Sequence, residues 1–107
     1  MPSEHVVHIV DDDGAARDAL AFLLTTDGFS VRAFESAQVF LDVILSAKPD
    51  CVITDVRMPE ITGLELLRRL KNLGVTSPVI VITGQADVPV AIAAIKLGAA
   101  DFIEKPY

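Results

Sequence analysis

The chain has 107 residues, 51% hydrophobic and 22% charged, with a formal net charge of −6 at pH 7. That length supports one domain with a hydrophobic core and excludes two, and the acidic balance argues against direct nucleic-acid binding while favouring a cation or a basic partner. No signal-like segment opens the chain and no apolar run reaches membrane-spanning length, so a soluble cytoplasmic domain with no membrane partner is expected.

HVVHIV (5–10) reads as a first strand, and it ends abruptly in three carboxylates, Asp11, Asp12 and Asp13. His5 and His8 stand three apart, so they do not share a strand face, and both are taken as ordinary strand or edge residues. A helix is expected over about 14–27. Ala16, Ala19, Leu20, Leu23 and Leu24 recur there at i, i+3, i+4, i+7 and i+8, and Gly28 stops it. Asp13 is placed to cap that helix, whose N-terminus favours a carboxylate. SVRAF (30–34) alternates like a strand near an edge. Ser36 then caps a second helix with an apolar stripe of Val39, Phe40, Val43 and Ile44, broken by KPD.

CVIT (51–54) is the third strand, with Asp55 directly after it. Its Cys51 is the one cysteine of the chain, which excludes an intramolecular disulfide and is read as a small buried thiol in a reducing compartment. A loop carrying Pro59 and Gly63 leads into a third helix, where Leu64, Leu67 and Leu70 share a face. VIVIT (79–83) is continuously apolar, as a central parallel strand buried on both faces requires. A fourth helix over about 87–97 ends at Gly98. DFIE (101–104) is the fifth strand, followed by KPY.

The alternation βαβαβαβαβ makes the strands parallel, with right-handed crossovers and helices on both sheet faces. In such sheets the functional crevice lies at the carboxyl ends of the strands. Those ends deliver Asp11, Asp12 and Asp13 from the first strand, Asp55 from the third, Thr83 from the fourth and Lys105 from the fifth. Clustered carboxylates without nearby His or Cys suit a hard, oxygen-seeking cation, and few protein ligands point to Mg²⁺. A dication there offsets the mutual repulsion of the acids. Lys105 and Thr83, with the open amide of Gly84, suit the equatorial oxygens of a phosphoryl group in transfer to a carboxylate.

HIVDDD, VITDVRMPEITG, VIVITG and DFIEKPY, in this order and spacing, resemble the receiver domain of two-component response regulators. TGQADVPVAIAAIKLGAADFIEKP is similar to the FixJ/LuxR-type subgroup. The resemblance implies a flavodoxin-like, doubly wound parallel five-stranded α/β domain covering residues 1–107. It implies Asp55 as phospho-acceptor for a sensor histidine kinase, with self-catalysed phosphorylation and dephosphorylation as the only chemistry. It further implies Mg²⁺ on Asp11, Asp12, Asp55 and the backbone carbonyl of Arg57, phosphoryl contacts from Thr83, Gly84 and Lys105, and a switch pair, Thr83 and Phe102. A cis Lys105–Pro106 peptide, a phosphorylation-dependent homodimer through the fourth helix and fifth strand, and a DNA-binding output domain outside this segment complete the implied picture.

Two other readings stay open at this point. DDD contains the D-x-D spacing of haloacid-dehalogenase-type phosphatases, in which Asp11 is the nucleophile and Asp13 the general acid, but Asp55 then has no role. A phosphorylation-independent interaction module would have lost a site residue, and none is missing. The family's usual fifth helix does not follow KPY. The expectation is therefore a fragment with a bare sheet face beside the first helix, exposing side chains of VIVI and DFIE and prone to self-association.

Overall fold

Each strand sends alternate side chains to opposite faces, and this alternation sets which helix covers what. The computed structural model describes residues 5–84 and 88–105. Within them β1 (Val6–Val10), β2 (Ser30–Phe34), β3 (Cys51–Asp55), β4 (Val79–Thr83) and β5 (Asp101–Glu104) alternate with α1 (Gly14–Thr26), α2 (Ala37–Ala47), α3 (Gly63–Asn72) and α4 (Val88–Lys96). Every strand pairing is parallel, and the spatial order is β2-β1-β3-β4-β5. The chain leaves β1 toward β2 and then returns to place β3 on the other side. That reversal opens a crevice between the carboxyl ends of β1 and β3.

Val10, Val52, Val79 and Val81 point to the face covered by α2, α3 and α4, where they join Phe40, Ile44, Leu66, Leu67 and Leu70 in the larger core. Val7, Ile9, Ile53 and Ile82 point to the opposite face and pack with Leu20 of α1. Both faces of the central strands are therefore covered, the α1 face less completely, with Cys51 and Ile80 half-buried there. The helices begin where the sequence places capping side chains. Asp13 accepts from the amides of Ala15 and Ala16, Ser36 from Val39, and Thr62 from Glu65. Each such cap contributes about 1 kcal/mol to its helix.

Two sequence expectations are refined and one falls outside the described residues. β3 runs one residue further than expected, so Asp55 is the last residue of the strand itself. Asp87, the expected start of the fourth helix, lies outside the described residues. Of the two roles expected for His8, strand or edge residue, the structure takes the first: β1 sits between β2 and β3, and the residue is 1% exposed.

The bare face beside α1 is much smaller than expected. Val79 and Val81 belong to the opposite face, Ile82 is 2% exposed within the α1 cluster, and Ile80 is half-buried against it. Of the apolar residues on this face of β4 and β5, only Ile103, on the sheet edge, is exposed, at 39%. Strand alternation halves the number of side chains sent to either face, and Leu20 with Ile53 shelters the middle of β4.

Candidate functional site

β1 stops at Val10 and the chain turns sharply at the rim. The Asp11 amide donates to the carbonyl of Phe34 at 3.1 Å, continuing the β1–β2 ladder by one bond. The Asp11 carboxylate accepts from the Asp13 amide at 3.0 Å, closing an Asx-type turn that aims it back over the crevice. Asp11 is 3% exposed. Burial raises its carboxyl above the ordinary carboxylate range; the Asp13 amide opposes this, Asp55 adds to it, Lys105 opposes it and Asp12 adds to it. The dominant cause is desolvation of the charged form.

Asp55 arrives across the crevice on β3. One carboxylate oxygen accepts from the Arg57 amide at 3.2 Å, and the other lies 3.5 Å from the Lys105 ammonium. The Asp55 side chain is 14% exposed and that of Lys105 33%, so the pair is only partly screened by solvent. Lys105 is held to the rim through its own backbone, because its amide donates to the Thr83 carbonyl at 2.8 Å. Thr83 is fully buried at the end of β4, and its hydroxyl donates to the Gly84 carbonyl at 3.0 Å.

Asp11, Asp12 and Asp55 each offer one oxygen, and these oxygens all lie within 4.8 Å of one another. An all-oxygen donor set of this size with no sulfur or imidazole fits a hard divalent cation of the Mg²⁺ kind. Among the described residues three carboxylates gather near the Lys105 ammonium, so added positive charge would relieve their mutual repulsion.

Asp13 is not brought into this cluster. Its carboxylate is turned onto the first amides of α1, as its expected capping role requires and a general acid's would not allow. Phe102 is half-buried against the three-helix core, opposite Val81 in the β4–β5 register. The Lys105–Pro106 peptide lies outside the described residues.

Two residues that shape the site were not singled out by motif. A Cβ on Gly63 would sit 2.6 Å from the Asp55 carbonyl oxygen and 2.9 Å from Val56 Cα. Only glycine lets α3 begin this close to the strand that carries Asp55. Its signal was the small residue directly after the Thr62 cap. The other is Arg17 of α1, whose guanidinium donates to the Asp11 carbonyl at 2.8 Å. Nothing in the helical stripe distinguishes it from a surface arginine.

The family described as response regulator receiver domain matches residues 7–107. The chain belongs to that family. The receiver domain is 52% identical over 107 residues to the transcriptional regulatory protein FixJ of Azorhizobium caulinodans, covering 100% of this chain and 51% of the relative. It is 49% identical over 105 residues to FixJ of Rhizobium meliloti, covering 98% of this chain and 52% of the relative. The crystal structure of full-length FixJ from B. japonicum superposes with a TM-score of 0.94 at 47% identity, over 98% of this chain and 52% of that one. The receiver domain thus spans about half the length of the curated relatives it matches. Among the described residues no helix is long and apolar enough to cross a membrane.

Proposed function

We propose that Asp55 is the phospho-acceptor of this receiver domain and that its phosphorylation requires Mg²⁺. The observation that carries this reading is the meeting of three carboxylate oxygens within 4.8 Å, one of them on a residue whose other oxygen faces Lys105. Asp11, Asp12 and Asp55 would hold the metal with the backbone carbonyl of Arg57. Bound there, the dication supplies charge stabilisation to the oxygens of a phosphoryl group in transfer.

The donor is a phosphohistidine on a sensor histidine kinase. A carboxylate oxygen of Asp55 attacks phosphorus as the P–N bond breaks; the bonding pair stays on the imidazole nitrogen, which takes up a proton. An acyl phosphate on Asp55 results. Lys105, already paired with Asp55, then pairs with the phosphoryl oxygens, and the Gly84 amide and Thr83 hydroxyl contact them. The domain catalyses only this transfer and its own later hydrolysis.

To reach the phosphoryl group, the Thr83 hydroxyl must leave the Gly84 carbonyl, which frees space for Phe102 to turn inward. Such a switch needs two packings close in energy, biased by the new charge. The readout is the α4–β5 face, where Ile92 and Ile95 of α4 are exposed, and a phosphorylation-dependent homodimer forms through it. Residues 1–107 are the receiver, and the output is transcription through a DNA-binding domain outside them. The net charge of −6 argues against direct nucleic-acid contact by this segment, and a sensor-kinase partner is the reason to propose a cytoplasmic location.

The test is incubation with Mg²⁺ and acetyl phosphate, followed by peptide mapping of the modified residue. Label on Asp55, absent from Asp55→Asn and absent with EDTA, is the expected result. Label that persists in Asp55→Asn and vanishes in Asp11→Asn would make Asp11 the nucleophile and favour phosphatase-type chemistry.

A further inference from the structure

The amide, carboxylate and carbonyl of Asp11 are each held by a different residue. Its amide is bonded to the Phe34 carbonyl at the end of β2, its carboxylate to the Asp13 amide, and its carbonyl to the Arg17 guanidinium of α1 at 2.8 Å. Asp12, the next residue, is exposed and its side chain makes no hydrogen bond among the described residues. Where the Asp12 carboxylate begins is therefore set by its two flanking peptides: the Asp12–Asp13 peptide, held by the Asp11 carboxylate, and the Asp11–Asp12 peptide. Arg17 grips the oxygen of that peptide.

We propose that Arg17 is a positioning residue for the divalent-cation site, fixing the Asp11–Asp12 peptide plane so that Asp12 projects beside Asp11 and Asp55. This rests on the Mg²⁺ reading given above. Two routes of action are conceivable, and they have opposite signs. A guanidinium acting by charge repels a dication and weakens its binding, so removing it tightens the site. A guanidinium acting by orientation holds a ligand in place, so removing it loosens the site. The geometry favours orientation. The Arg17 guanidinium reaches a main-chain carbonyl and pairs with none of the three carboxylates. Its contact is with the main chain, at a half-buried position on the first turns of α1.

Supporting partners of metal ligands set affinity by roughly 10–100-fold when removed. Arg17 acts through one peptide, so the lower end applies. Isothermal titration with Mg²⁺ on the intact chain tests this in four proteins. Arg17→Met keeps the aliphatic stem and loses every donor, and its affinity should fall about 10-fold. Arg17→Lys keeps one donor and the charge, and should recover to within about 3-fold of the parent. Arg68→Met removes the same charge from the solvent face of α3, where Arg68 pairs with Glu65 at 3.5 Å, and should change affinity by less than about 2-fold. Urea midpoints of the four proteins separate loss of fold from loss of the site.

Binding that tightens or stays unchanged in a folded Arg17→Met overturns the positioning role while leaving the metal site intact. An Arg17→Lys variant as weak as Arg17→Met also overturns it. A parent chain that takes up no Mg²⁺ sinks the metal-site reading and the proposal with it.

Discussion

Asp11 and His8 stand three residues apart at the end of one strand, and both are buried polar groups. Asp11 belongs to the rim, where its amide, carbonyl and carboxylate all have partners. His8 belongs to the core beneath, where neither ring nitrogen has a hydrogen-bond partner among the described residues. Its imidazole is packed instead against Phe34 and Phe40, with ring centroids 5.1 and 5.9 Å away. The rim spends its hydrogen bonds on aiming charges that repel one another, whereas the core tolerates an orphaned ring within good aromatic packing. Polar groups held by several partners mark the working part of the fold, and burial by itself does not.

The comparison breaks most severely at Phe40, the fully buried ring that meets both His8 and Phe34. Phe40→Ala should cost about 3–5 kcal/mol of unfolding free energy, read from urea denaturation, because nothing nearby can fill the space. A loss under about 1 kcal/mol would show that the aromatic cluster is not the support we describe.

His8→Leu keeps a similar volume and removes the orphaned nitrogens, so it should stabilise the fold by about 1–3 kcal/mol. Its pH signature sharpens the contrast with Asp11. Burial, and secondarily the nearby charge of Arg32, hold His8 below the ordinary histidine value. The unfolded chain therefore binds the proton first, and stability falls as pH drops below about 6.5. His8→Leu should lose that limb of the stability–pH curve; a curve identical to the parent's would contradict the assignment.

Asp11 has the opposite sign. Its folded carboxyl binds a proton more readily than the unfolded one, so metal-free stability rises as pH falls through the raised value toward about 3.9. Asp11→Asn should therefore stabilise the metal-free fold at pH 7 by about 0.5–2 kcal/mol while weakening Mg²⁺ binding, a trade of function against stability. Calorimetric melting with and without Mg²⁺ checks both halves. The smallest effect belongs to Asp13, where Ala should cost about 1 kcal/mol through the lost cap of α1 and leave Mg²⁺ affinity nearly unchanged.

The order of strands and helices was legible because β-branched runs and helical stripes announce themselves, and because Asp11, Asp55, Thr83 and Lys105 all fall at strand ends. Parallel topology then puts those ends on one rim without further information. What was not legible depends on contacts distant in sequence. Nothing local distinguishes His8 from an edge histidine; its burial follows from β1 lying between β2 and β3, with α2 supplying Phe40. Gly63 has the sequence setting of any loop glycine, and the approach of α3 to the Asp55 backbone that requires it is a tertiary contact. Arg17 reads as an exposed helical arginine, and its bond to a carbonyl six residues earlier is set by the turn at Asp11. The bare sheet face is smaller than VIVI and DFIE suggest, because strand alternation sends Val79 and Val81 to the opposite side.

The central claim is that the acidic rim is unfavourable by itself and is relieved by a bound dication. Urea unfolding at increasing Mg²⁺ concentration tests it most directly, since a ligand that binds only the folded state stabilises by RT ln(1 + [L]/Kd), about 2.7 kcal/mol at a hundredfold excess over Kd. The unfolding midpoint of the parent chain should climb with Mg²⁺ along this curve, and that of Asp12→Ala should stay flat. A parent midpoint indifferent to Mg²⁺, or an Asp12→Ala midpoint that climbs equally, would contradict the account.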